Sequence, residues 1–294
     1  MLTPLDRPHW RLLVTAPLSG AVNMACDEVL GECVLNGSSA PVIRFFQWRP
    51  HTISFGYSQR IANEVDVEKV SDAGIGIVRR ITGGRAVLHA DEITYSVICR
   101  EDDPIASGGI TATYTRISEG LTVGIRALGV DAELAHASDA NVPLRDREAT
   151  MPCFGSTARA EIVVDGKKLV GSAQHRMHGL MIQHGSILVG PAHRDVVHFL
   201  NASDVARERF ERLLAKSTTS IDESGGRYRD YPHIASTLAD GIRRKLGLDL
   251  VPEPLSAQET EDIELLAEKK YAADWWNLPK PGEKPRRLAL REII

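Results

Sequence analysis

For most of the first two-thirds of the chain, apolar residues come in short runs. Toward the end they recur at helical spacing. Arg11–Thr15, Val42–Gln47, Thr52–Phe55, Gly76–Arg80 and Ile93–Cys99 are rich in β-branched and aromatic side chains and predict strands. Asn23 to Leu35 predicts a helix with Met24, Val29 and Leu30 on one face, stopped by Asn36-Gly37. Ile117, Leu121, Ile125 and Leu128 mark a second helix ending at Gly129, and Ile234, Leu238, Ile242 and Leu246 a third ending at Gly247. Glu161–Val164 and Leu169–Gln174 flank Asp165-Gly166-Lys167-Lys168, and Asp-Gly suits the type I′ turn of a hairpin. A further strand covers Ser186–Val189, and Ser256 with Glu259 forms a capping box that opens a helix toward Tyr271. The pattern predicts an α+β fold, a mixed β-sheet flanked by helices. Pro252–Pro254 is a candidate boundary, but the ~40 residues beyond it are too few for a core of their own. The expectation is therefore one domain over residues 1–294, with a core of about 10–250 and a short helical extension over 251–294.

One stretch breaks the pattern. From Ala135 to Arg159 small and polar residues prevail without period, and structureless loops of this length inside a domain are often functional. Cys153 sits in it, between Pro152 and Phe154. Two readings stand for this thiol: a small buried hydrophobe, or a reactive thiolate that needs access and a nearby cation. Cys26, Cys33 and Cys99 lie in apolar elements, where packing suffices. The cation nearest in sequence is Lys168 or Lys167. Beside a thiol, either would favour the thiolate and could stabilise the oxyanion formed when a thioester is attacked; the other reading is a solvated turn.

Composition narrows the class. The chain has 294 residues, 43% of them hydrophobic, with 35 Lys+Arg against 39 Asp+Glu. The near balance offers no basic surface for nucleic acid. No stretch approaches the ~18 apolar residues of a membrane span. Residues Met1 to Leu13 have no apolar core of a secretory signal, and four cysteines without a C-x-x-C pair make neither a disulfide framework nor a zinc site. The expectation is a reduced, cytoplasmic protein with no metal.

Arg79-Arg80-Ile81-Thr82-Gly83-Gly84-Arg85-Ala86-Val87-Leu88-His89 puts two adjacent glycines among three arginines at the end of a strand. Paired glycines let backbone N–H groups approach an anion or carbonyl, or simply make a turn; neither the P-loop lysine nor the dinucleotide spacing is present. Gly171-Ser172-Ala173-Gln174 and Gln183-His184-Gly185-Ser186 supply small residues that leave room for a ligand chain or for a close strand. His184 reads either as hydrogen-bonded structure or as a base. No H-E-x-x-H and no G-x-S-x-G argue for a metalloprotease or a serine hydrolase.

Together these motifs resemble the lipoate-protein ligase and octanoyltransferase family. Its paired arginine, Thr-Gly-Gly, Ala-Val and histidine are matched from Arg79 to His89, with Ala90 departing from the usual aspartate. Its Lys-x-x-Gly-Ser-Ala is matched by Lys168 to Ala173, a further block by Gln183 to Leu188, and its early helix by Asn23 to Glu28. The similarity runs from about residue 10 to 275. Arg85 after Gly83-Gly84, the stretch Glu92-Ile93-Thr94-Tyr95-Ser96, and Cys153 before the lysine block bring it nearest the octanoyl-carrier-protein:protein octanoyltransferase branch. The resemblance implies a fold like that of biotin ligases and class II synthetases. It implies Cys153 and Lys168 as catalytic residues, with Arg80, Thr82, Gly83, Gly84, Arg85, Ala86, Val87, His89, Gly171, Ser172, Ala173, His184 and Gly185 around the substrate. It implies octanoyl acyl carrier protein as donor and a lipoyl-type domain, such as glycine cleavage H protein, as acceptor, without cofactor. The alternatives are an ATP- and Mg-dependent lipoate–protein ligase, an octanoyl amidotransferase between lipoyl domains, and a non-catalytic protein that binds carrier domains.

Overall fold

The computed structural model describes residues 9–136, 160–279, 283 and 285. In chain order the first half has β1 (Trp10–Val14), α1 (Gly20–Asn36), β2 (Val42–Phe46), β3 (Thr52–Phe55), α2 (Ile61–Glu64), α3 (Val67–Asp72), β4 (Gly76–Arg79), β5 (Val87–His89), β6 (Glu92–Arg100), α4 (Gly109–Ala127) and β7 (Glu133–His136). The second half has β8 (Ala160–Val164), β9 (Lys167–Lys168), β10 (Val170–Met177), β11 (Leu180–Leu188), α5 (Asp204–Ser217), α6 (Tyr231–Leu246), β12 (Leu250–Pro252), α7 (Ala257–Leu266) and α8 (Asp274–Asn277). The main sheet is mixed, in the order β10-β11-β6-β2-β1-β12. β1 runs parallel to both β2 and β12, and the β2, β6, β11 and β10 pairings are antiparallel. Two small sheets, β4-β3-β5 and β7-β8-β9, complete the α+β architecture expected from the sequence.

The period-2 pattern of the central strands sorts side chains onto two faces. Ile43 and Phe45 of β2, with Ile93, Tyr95, Val97 and Cys99 of β6, enter the larger core, which includes Ile117, Leu121 and Ile125 of α4 and Leu238 and Ile242 of α6. Val42, Phe46 and Ile98 point the other way, into a core shared with α1, Leu266 and Trp276. This second face also carries the polar residues Arg44, Thr94, Ser96, His184 and Ser186, all buried. The site is built on that face.

Several elements begin or end differently from the sequence expectation. α1 starts at Gly20 because the Ser19 hydroxyl accepts from Val22 N at 3.3 Å. β11 is longer than Ser186–Val189: buried partners satisfy Gln183 and His184, so its polar residues do not end the strand. α5 shows too thin a stripe to be read, with Phe210 and Leu214 its only fully buried residues. β7 occupies residues expected to open the loop, and the rest of that loop, Cys153 included, lies outside the described residues. The Asp165-Gly166 turn has φ of 49° and 72°, the two positive angles of a type I′ hairpin. After this turn the chain leaves the small sheet at Leu169 and enters the main sheet as β10, which puts Lys168 at the crossing.

The expected boundary near residue 250 falls on a strand, since β12 extends the main sheet beside β1. Beyond it, Arg11 pairs with Glu259 of α7 at 2.6 Å and Lys270 reaches both oxygens of Glu28 at 2.7 and 2.8 Å. Arg79 is fully buried and donates to five carbonyls: Trp276 (2.7 Å), Asn277 (2.8 Å), Gly56 (3.4 Å), Tyr57 (2.8 Å) and Gln59 (2.6 Å). Burial pulls this guanidinium down to about 10, still far above neutrality. Arg79, the first of the paired arginines, thus binds the C-terminal segment to the loop after β3.

Burial, with help from the charge of Arg194, holds His193 down to about 4. The unfolded value is about 6.5, so as pH falls the unfolded chain binds the proton first. Stability present above pH ~6.5 is therefore lost on the way down to pH ~4, by about 3 kcal/mol. Chemical denaturation of the parent and of His193→Gln at pH 7 and pH 4 is expected to show that much extra acid loss in the parent alone.

Candidate active site

The site is organised around Asp27 on α1. Its carboxylate is buried and accepts from Arg44 at 2.9 Å and Ser96 at 2.6 Å, with His184 Nδ1 at 3.3 Å. Arg44, Ser96 and His184 stand in register across β2, β6 and β11, so α1 is tied to three strands at one level. Arg44 also donates to the Asn23 side chain at 2.6 Å. Burial alone would raise Asp27; the His184 hydrogen bond and Arg44 hold it below its ordinary value. Burial lowers His184 against the pull of Asp27. The other ring nitrogen of His184 meets Thr82 Oγ1 at 2.7 Å, which fastens the Gly83-Gly84 loop to the sheet.

A second network runs beneath. Arg80 donates to Ser54 Oγ and to the Gly83 and Arg85 carbonyls at 3.3 and 3.0 Å. Ser54 Oγ lies 2.5 Å from His89 Nε2, and His89 Nδ1 lies 2.8 Å from Glu92. Glu92 also accepts from Thr94 and Ser186, and Thr94 accepts from Trp48 Nε1 at 2.7 Å. The rings of Trp48 and His89 stack with centroids 4.0 Å apart.

These networks frame a narrow pocket walled by Met24, Trp48, Arg80, Val87, His89, Thr94, Gly171–Ala173 and His184–Ser186. Of the residues expected around a substrate, Arg80, Val87, His89, Gly171, Ser172, Ala173, His184 and Gly185 are brought together here. Thr82 and Ala86 are buried behind the wall, while Gly83, Gly84 and Arg85 are exposed on the loop above it. Arg85 contributes its carbonyl to Arg80 rather than a wall side chain. Lys168 is not a wall residue; its ammonium pairs with Glu161 at 2.6 Å, both groups buried. Lys167 is exposed.

Met24, Trp48, Thr94 and Ser186 were not singled out from the sequence. Thr94 and Ser186 stand inside motifs that were noticed, and Trp48, two residues past β2, gave no signal. Gly185 faces Tyr95 and Ser172 across the sheet, where a Cβ would come within 2.7 Å of Tyr95 Cε1 and 2.6 Å of Ser172 Oγ. Its missing side chain lets Tyr95 OH reach Ser172 at 2.8 Å. The three described cysteines are poor nucleophiles: burial pushes Cys26 up to about 11 and raises Cys33 and Cys99 as well. Among the described residues there is no cluster of three His, Cys, Asp or Glu suited to a metal, and no helix long and apolar enough to cross a membrane.

A narrow, largely apolar slot with a cationic, glycine-rich rim suits a short linear acyl chain. The model of the lipoyl protein ligase A/B catalytic domain matches residues 19–243, and the chain belongs to that family. Within it, the octanoyltransferase LipM of Kyrpidia tusciae is 42% identical over 272 residues, 92% of this chain and 99% of that protein. The octanoyltransferase LipM of Bacillus subtilis is 37% identical over 281 residues, covering 93% and 99% of the two chains. Among solved structures, the bipartite lipoate protein ligase of Thermoplasma acidophilum superposes with a TM-score of 0.74 at 22% identity, covering 93% of this chain and 97% of that one. Lipoate-protein ligase A bound with ATP gives 0.72 at 23%, covering 92% and 99%. At these identities the two structures show the shared fold.

Gly84 has φ of +102°, and a Cβ there would stand 3.3 Å from Arg80 Nη2 and 4.0 Å from Ala173 Cβ. Gly84→Val is therefore expected to strain the rim by roughly 1–3 kcal/mol and crowd Arg80. Acyl transfer should fall at least tenfold while the protein still melts cooperatively; normal transfer would make the loop a mere turn.

Proposed function

We propose that the chain is an octanoyltransferase of lipoate biosynthesis. It would take an octanoyl group from the phosphopantetheine thioester of acyl carrier protein and deliver it to a lysine of a lipoyl-type domain, such as glycine cleavage H protein. The carrying observation is the apolar slot under the Arg80–Gly84 rim, in a chain aligned over nine-tenths of its length with relatives named octanoyltransferase.

In this reading the Cys153 thiolate attacks the thioester carbonyl. A new C–S bond forms to Cys153, the bond to the carrier sulfur breaks, and that sulfur leaves as a thiol after taking up a proton. The neutral ε-amine of the acceptor lysine then attacks the acyl-enzyme. A C–N bond forms, the C–S bond to Cys153 breaks, and the proton lost by nitrogen returns to the cysteine sulfur. Splitting the transfer this way is covalent catalysis. Thioester to amide is downhill and calls for neither ATP nor metal. Support for Cys153 comes from the chemistry of the other three thiols, which burial keeps protonated. Lys168 is the cation for thiolate and oxyanion, and its pairing with Glu161 fixes where that charge sits.

Intact mass under denaturing acid, after mixing with octanoyl carrier protein and no ATP, is expected to show one added octanoyl group on Cys153, removable by hydroxylamine. Cys153→Ser should abolish both the adduct and acceptor modification, since a hydroxyl is a far weaker nucleophile than a thiolate at neutral pH. A requirement for ATP and free lipoate would replace the transferase with a ligase. Lys168→Ala is expected to slow loading by on the order of 10²–10³-fold, the cost of losing one oxyanion donor. Loading at the parental rate in stopped-flow mixing would remove Lys168 from the mechanism.

A further inference from the structure

Lys168 closes a strand too short to hold itself. β9 has two residues, paired on one side with β8, and at Leu169 the chain leaves for the main sheet. The other edge of β9 is filled from a distant part of the chain. The segment that follows α5 runs parallel to it, with Thr218 beside Lys168. Thr219 N donates to the Lys168 carbonyl at 3.0 Å, and Ile221 N and Asp222 N go on to the carbonyls of Leu188 and Val189 at 2.9 and 3.0 Å. One segment thus ties the main chain of Lys168 to the end of β11, whose His184, Gly185 and Ser186 wall the slot.

Arg194 grips this segment at both ends. It stands on the 3₁₀ turn Pro191–Phe199 that follows β11. At one end its Nη2 donates to the Thr218 carbonyl at 3.0 Å and its Nε to Thr218 Oγ1 at 3.2 Å. At the other, Nη1 and Nη2 each reach an oxygen of Glu223 at 2.8 Å, and the Ser220 hydroxyl holds the same carboxylate at 3.1 Å. Thr218 and Ser220 are fully buried between these contacts. A planar fork that engages acceptors at both ends fixes orientation as well as distance, which a point charge does not.

We infer that Arg194 is a positioning residue for acyl transfer, acting on Lys168 through the segment Thr218–Glu223. This rests on the acyl-transfer reading above. Lysine carries its charge on a flexible stem, and the pairing with Glu161 at 2.6 Å fixes only the far end of it. The near end is the main chain, and there the Thr219 amide sets where the stem begins. Misplacing a catalytic group by about 1 Å can cost on the order of 10²-fold in rate, so both ends matter. Arg194 is not a wall residue of the slot, and its effect on the reaction passes through Lys168.

The test measures single-turnover loading from octanoyl carrier protein, over a range of carrier concentrations, in the parent, Arg194→Gln, Lys168→Ala and the double variant. Arg194→Gln is expected to lower the maximal loading rate roughly tenfold and to leave the half-saturating carrier concentration unchanged. In the Lys168→Ala background the same change is expected to cost less than about twofold, because no ammonium is left to place. Hydrogen exchange read by peptide mass spectrometry is expected to show the amides of residues 219–222 exchanging at least about tenfold faster in Arg194→Gln. Should the glutamine variant fail to melt cooperatively, Arg194→Lys takes its place, since a single ammonium reaches Thr218 or Glu223 but not both. Parental loading, an equal cost in both Lys168 backgrounds, or unchanged exchange in a folded variant would overturn the role. If the parent takes up no octanoyl group, the transfer reading fails, while the exchange measurement still decides whether Arg194 holds the segment at Lys168.

Discussion

A carboxylate buried in the middle of a protein must be fully paired, and Asp27 sets that demand at the centre of this one. Leaving its partner Arg44 buried and alone would cost about 3–5 kcal/mol, so helix and sheet can meet in only one register. Arg44, Ser96 and His184 must stand level on three strands for the carboxylate to be satisfied, and they do. His184 then spends its second nitrogen on Thr82, which carries the same constraint out to the glycine loop. The slot exists where it does because a charge on α1 chose which strand residues face it.

The second network has a different character. Arg80, Ser54, His89, Glu92, Thr94 and Trp48 form one chain of hydrogen bonds that begins at a guanidinium and ends at an indole. Its members come from β3, β5, β6 and the segments beside them, so it locks a small sheet to the large one beneath the slot. Low dielectric makes such a network rigid when every member is paired.

Much of this was legible in the sequence. The runs of β-branched and aromatic residues in β2, β3 and β6 placed those strands, since such side chains pack well on a pleated, buried surface, and the Asp-Gly turn specified its own φ angles. The loop from Arg79 to His89 and the small residues at Gly171–Ala173 and Gly185 could be read because a backbone that touches a ligand or another strand leaves glycine as its trace. What stayed hidden was carried by partnership rather than by pattern. Asp27 is one of three acids in α1, and its importance lies in residues 17, 69 and 157 positions away. β11 looked too polar to be a long buried strand until its partners were in view. Trp48 carried no local mark because its role depends on a histidine far along the chain.

Arg79 adds a consequence in time. Its five carbonyl partners lie partly in the loop after β3 and partly at Trp276 and Asn277, almost two hundred positions later. While the protein is being made, the strand that presents the glycine loop is complete long before the last of those acceptors exists. Its Nη1 can bond Gly56, Tyr57 and Gln59 early, but Nε and Nη2 gain their acceptors only when Trp276 and Asn277 arrive. The strand that leads into the glycine loop is therefore joined to the C-terminal segment only once residue 277 has been made.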